Sequence, residues 1–263
     1  VREIQIHKTS LDARKRNDIH FVHSVFVRLN DPAAEKRICG KNSRLSYTEE
    51  SRFEPIISDV QRSGRVVIAG FGPAGMFCGL VLAEQGYKPL IIERGECVEK
   101  RTASVNNFWT GGKLNTSSNV QFGEGGAGTF SDGKLTTRIK DPLCRYVLER
   151  FTEFGAPAEI TAKAKPHIGT DNLRGIVKAI RERIIQLGGE VRFEDTVSDF
   201  TIRNNAVESV KHSDGETQTA ALVLAIGHSA RDTFEMLAAK NIFLEPKPFS
   251  VGARIEHKQA DVE

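Results

Sequence analysis

Gly70, Gly72 and Gly75 stand in the order G-x-G-x-x-G, and an acid, Glu93, follows 18 positions after Gly75. That spacing suits the holding of a phosphate chain rather than bond-making. The glycines permit a tight turn, close main-chain approach to a pyrophosphate, and tight packing of helix on strand. Pro73 occupies a first helical position, where its missing N–H is no loss, and Ala74 completes the turn. A helix starting there presents free N–H groups and the positive end of its dipole to the phosphates. Glu93 is then placed to accept hydrogen bonds from the ribose hydroxyls of an adenosine. Arg94 beside it leaves open a ligand with a 2′-phosphate.

A second glycine cluster lies downstream. Residues 107–142 are too rich in glycine for helix or strand and too long for an idle connection. Gly123, Gly125, Gly126 and Gly128, with Ala127 and Thr129 among them, allow the main chain to approach a flat or charged ligand. Their N–H groups can line an anion-binding concavity. Phe122 and Phe130 flank the cluster and suggest that it packs. Lys134 and Arg138, beyond it, are either solvated or contacts for an anionic substrate. No nucleophile–base triad is found, so the catalytic residues are unknown.

The elements needed to position these groups can be read around them. Val66–Ala69 is an apolar strand suited to burial on both faces. The helix after Pro73 carries Met76, Phe77, Leu80, Val81 and Leu82 and stops at Gly86, and Lys88–Ile92 is the second strand. A helix over about Cys97–Asn107 carries Arg101, and others follow at about Pro142–Phe154 and Thr170–Leu187, the last with Thr170 as N-cap. Glu190–Phe193, Val197–Ile202, Ala206–Val210 and Thr217–Ile226 read as strands, with turns at Asn204-Asn205 and Asp214-Gly215. The last strand ends in Gly227. Ser229 then reads more readily as a helix N-cap, with Asp232 in the first turn, than His228 or Arg231 reads as a ligand contact. Residues 1–30 form a small α+β unit of two strands around Asp12–Asp18, a polar turn or short helix, and 31–64 an irregular connector.

Bulk properties narrow the field. The chain has 263 residues, 39% hydrophobic and 27% charged, as in ordinary globular proteins. No apolar run approaches the roughly 20 residues of a membrane span, and no signal peptide opens the chain. Cys39, Cys78, Cys97 and Cys144 are scattered. That argues for a reducing, cytoplasmic setting, without a metal site or redox disulfide. Residues 1–64 hold 12 Lys and Arg against 9 Asp and Glu, and the rest of the chain holds 25 of each. The excess is too small to point to a nucleic-acid partner. His7, His20 and His23 have no ligand-like spacing and read as structural.

The order of elements separates cofactors. After the second strand about a hundred residues pass before the next, followed by a meander and a buried strand ending in glycine. This resembles the FAD domain of the glutathione-reductase-type flavoproteins: an α/β, Rossmann-like domain with a parallel sheet and a crossover β-meander. The resemblance implies that the main chain near Val197 touches adenine and that Gly227 lies close to the cofactor. More narrowly, KTSLDARKR, ERGECVEKRT, SNVQFGEGGAGTFSDGKLTTRIKDP, KPHIGTDNLR, LAIGHSARDTFEML and KPFSVGARIEH together resemble the uncharacterised FAD-dependent dehydrogenase family of bacteria.

That resemblance implies FAD held by Gly70, Gly72, Pro73, Ala74, Gly75, Glu93, Arg94, Arg101, Gly125, Gly126, Ala127, Gly128, Thr129, Val197 and Gly227. It implies a small-molecule substrate and makes NAD(P)H a candidate electron donor, but names no reaction. The expected domains are 1–64, 65–245 and 246–263, the last being the start of a truncated substrate domain. No segment after Gly227 resembles the late return to the flavin usual in such proteins. A C-terminally truncated chain with an open flavin half is therefore expected. The alternative to an FAD-dependent oxidoreductase is a non-catalytic nucleotide- or RNA-binding protein using the same fold as a scaffold.

Overall fold

A computed structural model describes residues 1–49, 53, 55, 64–130, 135, 137, 139, 141–248, 251–253 and 255–262. Lys134, Arg138 and Arg254 lie outside the described residues. Packing divides the chain into two compact units, Val1–Ser229 and Ala230–Glu263.

The first unit opens on a hairpin of β1 (Glu3–Asp12) and β2 (His20–Arg28), antiparallel with Ile4 opposite Val27 and Leu11 opposite Phe21. The polar stretch 13–19 is its turn, and of the two readings of Asp12–Asp18 the structure takes the turn and not the short helix. Its histidines are engaged locally: His7 packs on Phe26 with ring centroids 4.4 Å apart, and Thr9 Oγ1 lies 2.9 Å from His23 Nδ1. Main-chain bonds from Thr9 N–H to Ala162 O and from Ala164 N–H to Thr9 O tie β1 to the segment after the fourth helix. The reading of 31–64 as wholly irregular is corrected by α1 (Pro32–Cys39). Asp31 caps it by accepting from Ala33 N–H at 3.0 Å, and Pro32 opens its first turn.

The centre of the unit is β3 (Val66–Ala69), α2 (Pro73–Glu84) and β4 (Leu90–Ile92). Then follow α3 (Val98–Trp109), α4 (Leu143–Glu153), α5 (Thr170–Gln186) and β5 (Glu190–Arg192). A meander of β6 (Val197–Arg203), β7 (Ala206–His212) and β8 (Gly215–Gln218) precedes β9 (Ala221–Leu224). The sheet order is β5-β4-β3-β9 and every pairing is parallel, with Ile68 opposite Ile91 on one side and Val223 on the other. This is an α/β, Rossmann-like arrangement, in which the strand order reverses beside β3. Val67, Ile68, Leu90 and Ile91 are fully buried, which is why those strands read as continuous apolar runs.

Helix α5 lays Leu173, Ile176, Val177, Ile180 and Ile184 into the core beside Met76 and Leu80 of α2. Each such side chain contributes about 1.5–3 kcal/mol relative to exposure. Thr170 is the first helical residue of α5 rather than its cap; Gly169, at φ 84°, stands in that place. The single strand expected over Thr217–Ile226 is two strands. At the join Ala220 N–H and Thr219 Oγ1 both donate to Arg65 O, which turns the chain out of the meander and into the parallel sheet.

In the second unit α6 (Arg231–Ala239) follows Ala230, which occupies the N-cap position without a side-chain bond. Ser229 is therefore not the cap, because the helix starts one residue later than its sequence suggests.

Candidate functional site

The first glycine segment is shaped by its own strand and helix. Gly70 has φ +100° and donates its N–H to Ile92 O at 2.8 Å, so the turn is anchored on β4. A Cβ on Gly75 would stand 1.9 Å from Gly70 O, which only glycine avoids. Gly72 is the N-cap of α2, at φ −75° and ψ −174°, with no side-chain cap, and Pro73 follows. Ala74 and Gly75 lie in the first turn, where N–H groups lack partners within the helix. No acid lies in that turn. The helix end is thus open to an anion, with its dipole uncancelled.

The second glycine segment meets the first directly. Gly125 N–H donates to Phe71 O at 2.9 Å. A Cβ on Gly126 would lie 3.1 Å from Pro73 Cδ and 3.2 Å from Gly72 Cα. Ala127, Gly128 and Thr129 continue in a 3-10 turn, Ala127–Phe130, with Thr129 buried and its Oγ1 donating to Glu124 O. Two stretches about fifty positions apart in sequence therefore form one main-chain cradle at the C-terminal end of β3.

Glu93 sits under that cradle, 5% exposed. Its Oε2 accepts from Phe71 N–H at 2.7 Å, and its Oε1 from Gly95 N–H at 2.9 Å and Gly123 N–H at 3.1 Å. The carboxylate therefore ties the two glycine segments together. With about four lone-pair sites on a carboxylate, it retains room for about one further donor. Arg94 stacks on Phe122, with its guanidinium carbon 5.1 Å from the ring centroid.

Arg101 is fully buried. Its Nε donates to Asn119 O at 2.9 Å and its Nη1 to Glu124 O at 2.5 Å, and the guanidinium packs 4.7 Å from the Phe130 centroid. Two of its donors are committed to main-chain carbonyls of the second glycine segment, and burial pushes its pKa down to about 10. Val197 opens β6 and is nearly buried; two residues before it, Asp195 N–H donates to Glu93 O at 3.1 Å. The buried Asp195 carboxylate lies 2.8 Å from His212 Nδ1. Gly227, at φ 70°, follows β9 at the same end of the parallel sheet as Gly70. His228 is exposed beside it.

Sequence reasoning missed Glu124. Its carboxylate is buried, accepts from Val98 N–H at 2.7 Å at the start of α3, and pairs with Arg181 Nη1 of α5 at 2.8 Å. The available signal was a lone charge inside a run of glycines, in GEGG. Among the described residues, no group of three or more His, Cys, Asp and Glu could hold a metal ion, and no helix is long and apolar enough to cross a membrane.

No family model matches the chain. It is 49% identical over 262 residues to an uncharacterized protein of Clostridium beijerinckii, covering 98% of this chain and 49% of that protein. The chain thus spans about half the length of the curated relative it matches. Among solved structures it is similar to THI4 of Thermovibrio ammonificans, at 18% identity and a TM-score of 0.45, covering 68% of this chain and 64% of the other. It is also similar to glycine oxidase of Geobacillus kaustophilus, at 14% and 0.41, covering 67% and 59%. The corresponding figures for L-proline dehydrogenase of P. horikoshii are 15%, 0.38, 69% and 57%.

Proposed function

We propose that the chain binds FAD and forms the cofactor-binding part of an FAD-dependent oxidoreductase. The observation that carries the reading is the main-chain contact of the two glycine segments, Gly72 against Gly126, at the C-terminal end of the central parallel strand. Open α/β sheets take their ligands at that end, beside the strand where the order reverses. The residues fit the group. The acid-free first turn of α2 suits a pyrophosphate, and Glu93 has acceptor capacity for a ribose hydroxyl.

When bound, the flavin would supply the hydride or electron transfer, and the protein supplies position and field. Ala74 and Gly75 N–H groups would face the phosphates, with Gly70 and Gly72 leaving room for them. Gly126, Ala127, Gly128 and Thr129 would border the middle of the dinucleotide, Val197 its adenine and Gly227 its far side. Arg101 would hold the second glycine segment in shape by fixing Asn119 O and Glu124 O. The substrate would be a small molecule, with NAD(P)H as candidate electron donor, in the cytoplasm.

The test is an absorbance spectrum of the longest natural form of the chain, purified and then treated with dithionite. A yellow chromophore bleached by reduction supports the reading. Salt-sensitive retention of RNA without a chromophore would replace it with the scaffold alternative.

A further inference from the structure

Glu124 is the centre of the second glycine segment, and both neighbours bond to the first half of the site. Gly123 N–H donates to the Glu93 carboxylate and Gly125 N–H to Phe71 O. Glu124 itself is anchored through its main chain and one carboxylate oxygen. Its N–H donates to Glu96 O, its carbonyl accepts from Arg101, and its carboxylate Oε2 joins Val98 N–H of α3 to Arg181 of α5. A shift of this side chain would carry Gly123 and Gly125 with it, and so open the contact of Gly126 with Gly72.

We propose that Glu124 is a positioning residue of the cofactor site, and that its charge sets how firmly the second glycine segment is held against the phosphate turn. The inference rests on the FAD reading above for its ligand and on the local geometry for its mechanism. Ionised, the carboxylate makes two charge-assisted bonds, one to a helix N-terminus and one to a guanidinium. Protonated, it keeps an acceptor for Val98 N–H and is relieved of the cost of a buried charge, which exceeds what those two bonds return. Its Oε1 is buried without a hydrogen-bond partner, and is the atom on which a proton can sit.

The surroundings decide where that proton binds. Arg101 and Glu99 face Glu124 from α3. Arg181 faces it from α5, where Lys178 pairs with Glu99, and Glu93 faces it from the end of β4. Burial dominates, and Glu124 is pushed up to about 7 against the favourable Val98 N–H and Arg181. The carboxyl therefore titrates where cells operate, and because the buried site favours the protonated form, the segment is held more firmly on the acid side.

The experiment is FAD titration of the whole protein between about pH 5.5 and 8.5, about 1.5 units on each side of the Glu124 midpoint. Wild type should bind about tenfold more weakly at the alkaline end, where the buried charge loosens the segment. Glu124→Gln should bind with a flat profile near the acid-end value. Arg181→Gln, which leaves the carboxyl in place, should move the midpoint upward because the facing cation is gone. A merely structural role for Glu124 would move none of these midpoints.

Amide hydrogen exchange of Val98 and Gly125 in ligand-free protein supplies a second readout. Protection should rise on acidification in wild type and be independent of pH in Glu124→Gln. If FAD binds and Glu124→Gln retains the wild-type pH profile, the inference is overturned and the FAD reading stands. If no FAD binds but exchange titrates with Glu124, the positioning role is upheld and the FAD reading fails.

Discussion

The two glycine segments meet at Gly72 and Gly126, yet they are held in opposite ways. The first, Gly70–Gly75, is fixed by what immediately surrounds it: β3 before it, α2 after it, and a bond from Gly70 to the neighbouring β4. The second, Gly123–Thr129, has little regular structure of its own beyond one 3-10 turn. It is held by side chains from elsewhere: Glu93 from β4, Arg101 from α3 and Arg181 from α5 acting through Glu124. A local turn needs backbone freedom and tight packing. A loop shaped at a distance needs buried charges that meet partners on other elements, and removing one partner leaves the other stranded.

The largest expected effects separate packing from ligand space within the first segment. Gly75→Val should lower stability by several kcal/mol, because its Cβ alone would lie 1.9 Å from Gly70 O in an interior that cannot give way. Gly72→Val should leave the circular dichroism and melting temperature near wild type, since its Cβ meets only Gly126 Cα at 3.8 Å. It fills the cradle instead, and FAD binding should be lost. A Gly72→Val protein that keeps its FAD affinity would remove the phosphates from this turn.

Arg101→Met comes next and tests the remote holding of the second segment. The substitution keeps an unbranched apolar stem and removes the donors to Asn119 O and Glu124 O, at about 1–3 kcal/mol for each buried acceptor left unpaired. Urea unfolding should show the loss. Exchange at Gly125 should rise while Gly70, anchored on β4, keeps its protection. Equal loosening of both segments would erase the distinction between them.

Glu93→Ala is expected to weaken FAD by about 1.5–3 kcal/mol, the range for hydrogen bonds to a charged group. Two causes should be separable by calorimetry. A lost ribose contact would weaken adenosine diphosphate as much as FAD. A lost tie between Phe71 N–H and Gly123 N–H would lower the melting temperature even without ligand. Equal affinity and equal melting temperature would show that the acid does neither.

The same contrast explains what the sequence makes legible. The first segment could be read whole because its signals are adjacent: an apolar run, spaced glycines, Pro73, a second apolar run and an acid. The parallel sheet and the meander followed from the same kind of local pattern. Glu124 and the partners of Arg101 could not be read, because their meaning lies in Val98, Asn119 and Arg181, residues brought near only by the fold. The Thr217–Ile226 stretch failed for a related reason. Its break is made by Arg65 O, more than 150 positions earlier, so nothing in the local pattern divides it. The α1 helix was readable in principle from Asp31-Pro32, a cap and a first-turn proline inside an otherwise polar run.

The smallest prediction sets two acids of one charge network against each other. Glu99 pairs with Arg181 at 2.7 Å, and that hydrogen bond draws its carboxyl down to about 2. A depressed folded-state pKa gives stability that is present above the unfolded value of 4.5 and is lost as pH falls towards 2. Glu124, on the same guanidinium, has the opposite sign. Its raised folded-state pKa gives stability that is full below 4.5 and is lost as pH rises through about 7. Glu99 is 45% exposed, so solvent screening keeps its share small. Glu99→Gln should therefore flatten only the acid limb of the stability–pH curve, and Glu124→Gln only the limb between 4.5 and 7. Urea midpoints measured from about pH 2.5 to 8 would resolve both limbs. Loss of both limbs in either variant would mean that Arg181 couples the two acids into one titrating unit, and the second glycine segment would then be held by that unit rather than by Glu124 alone.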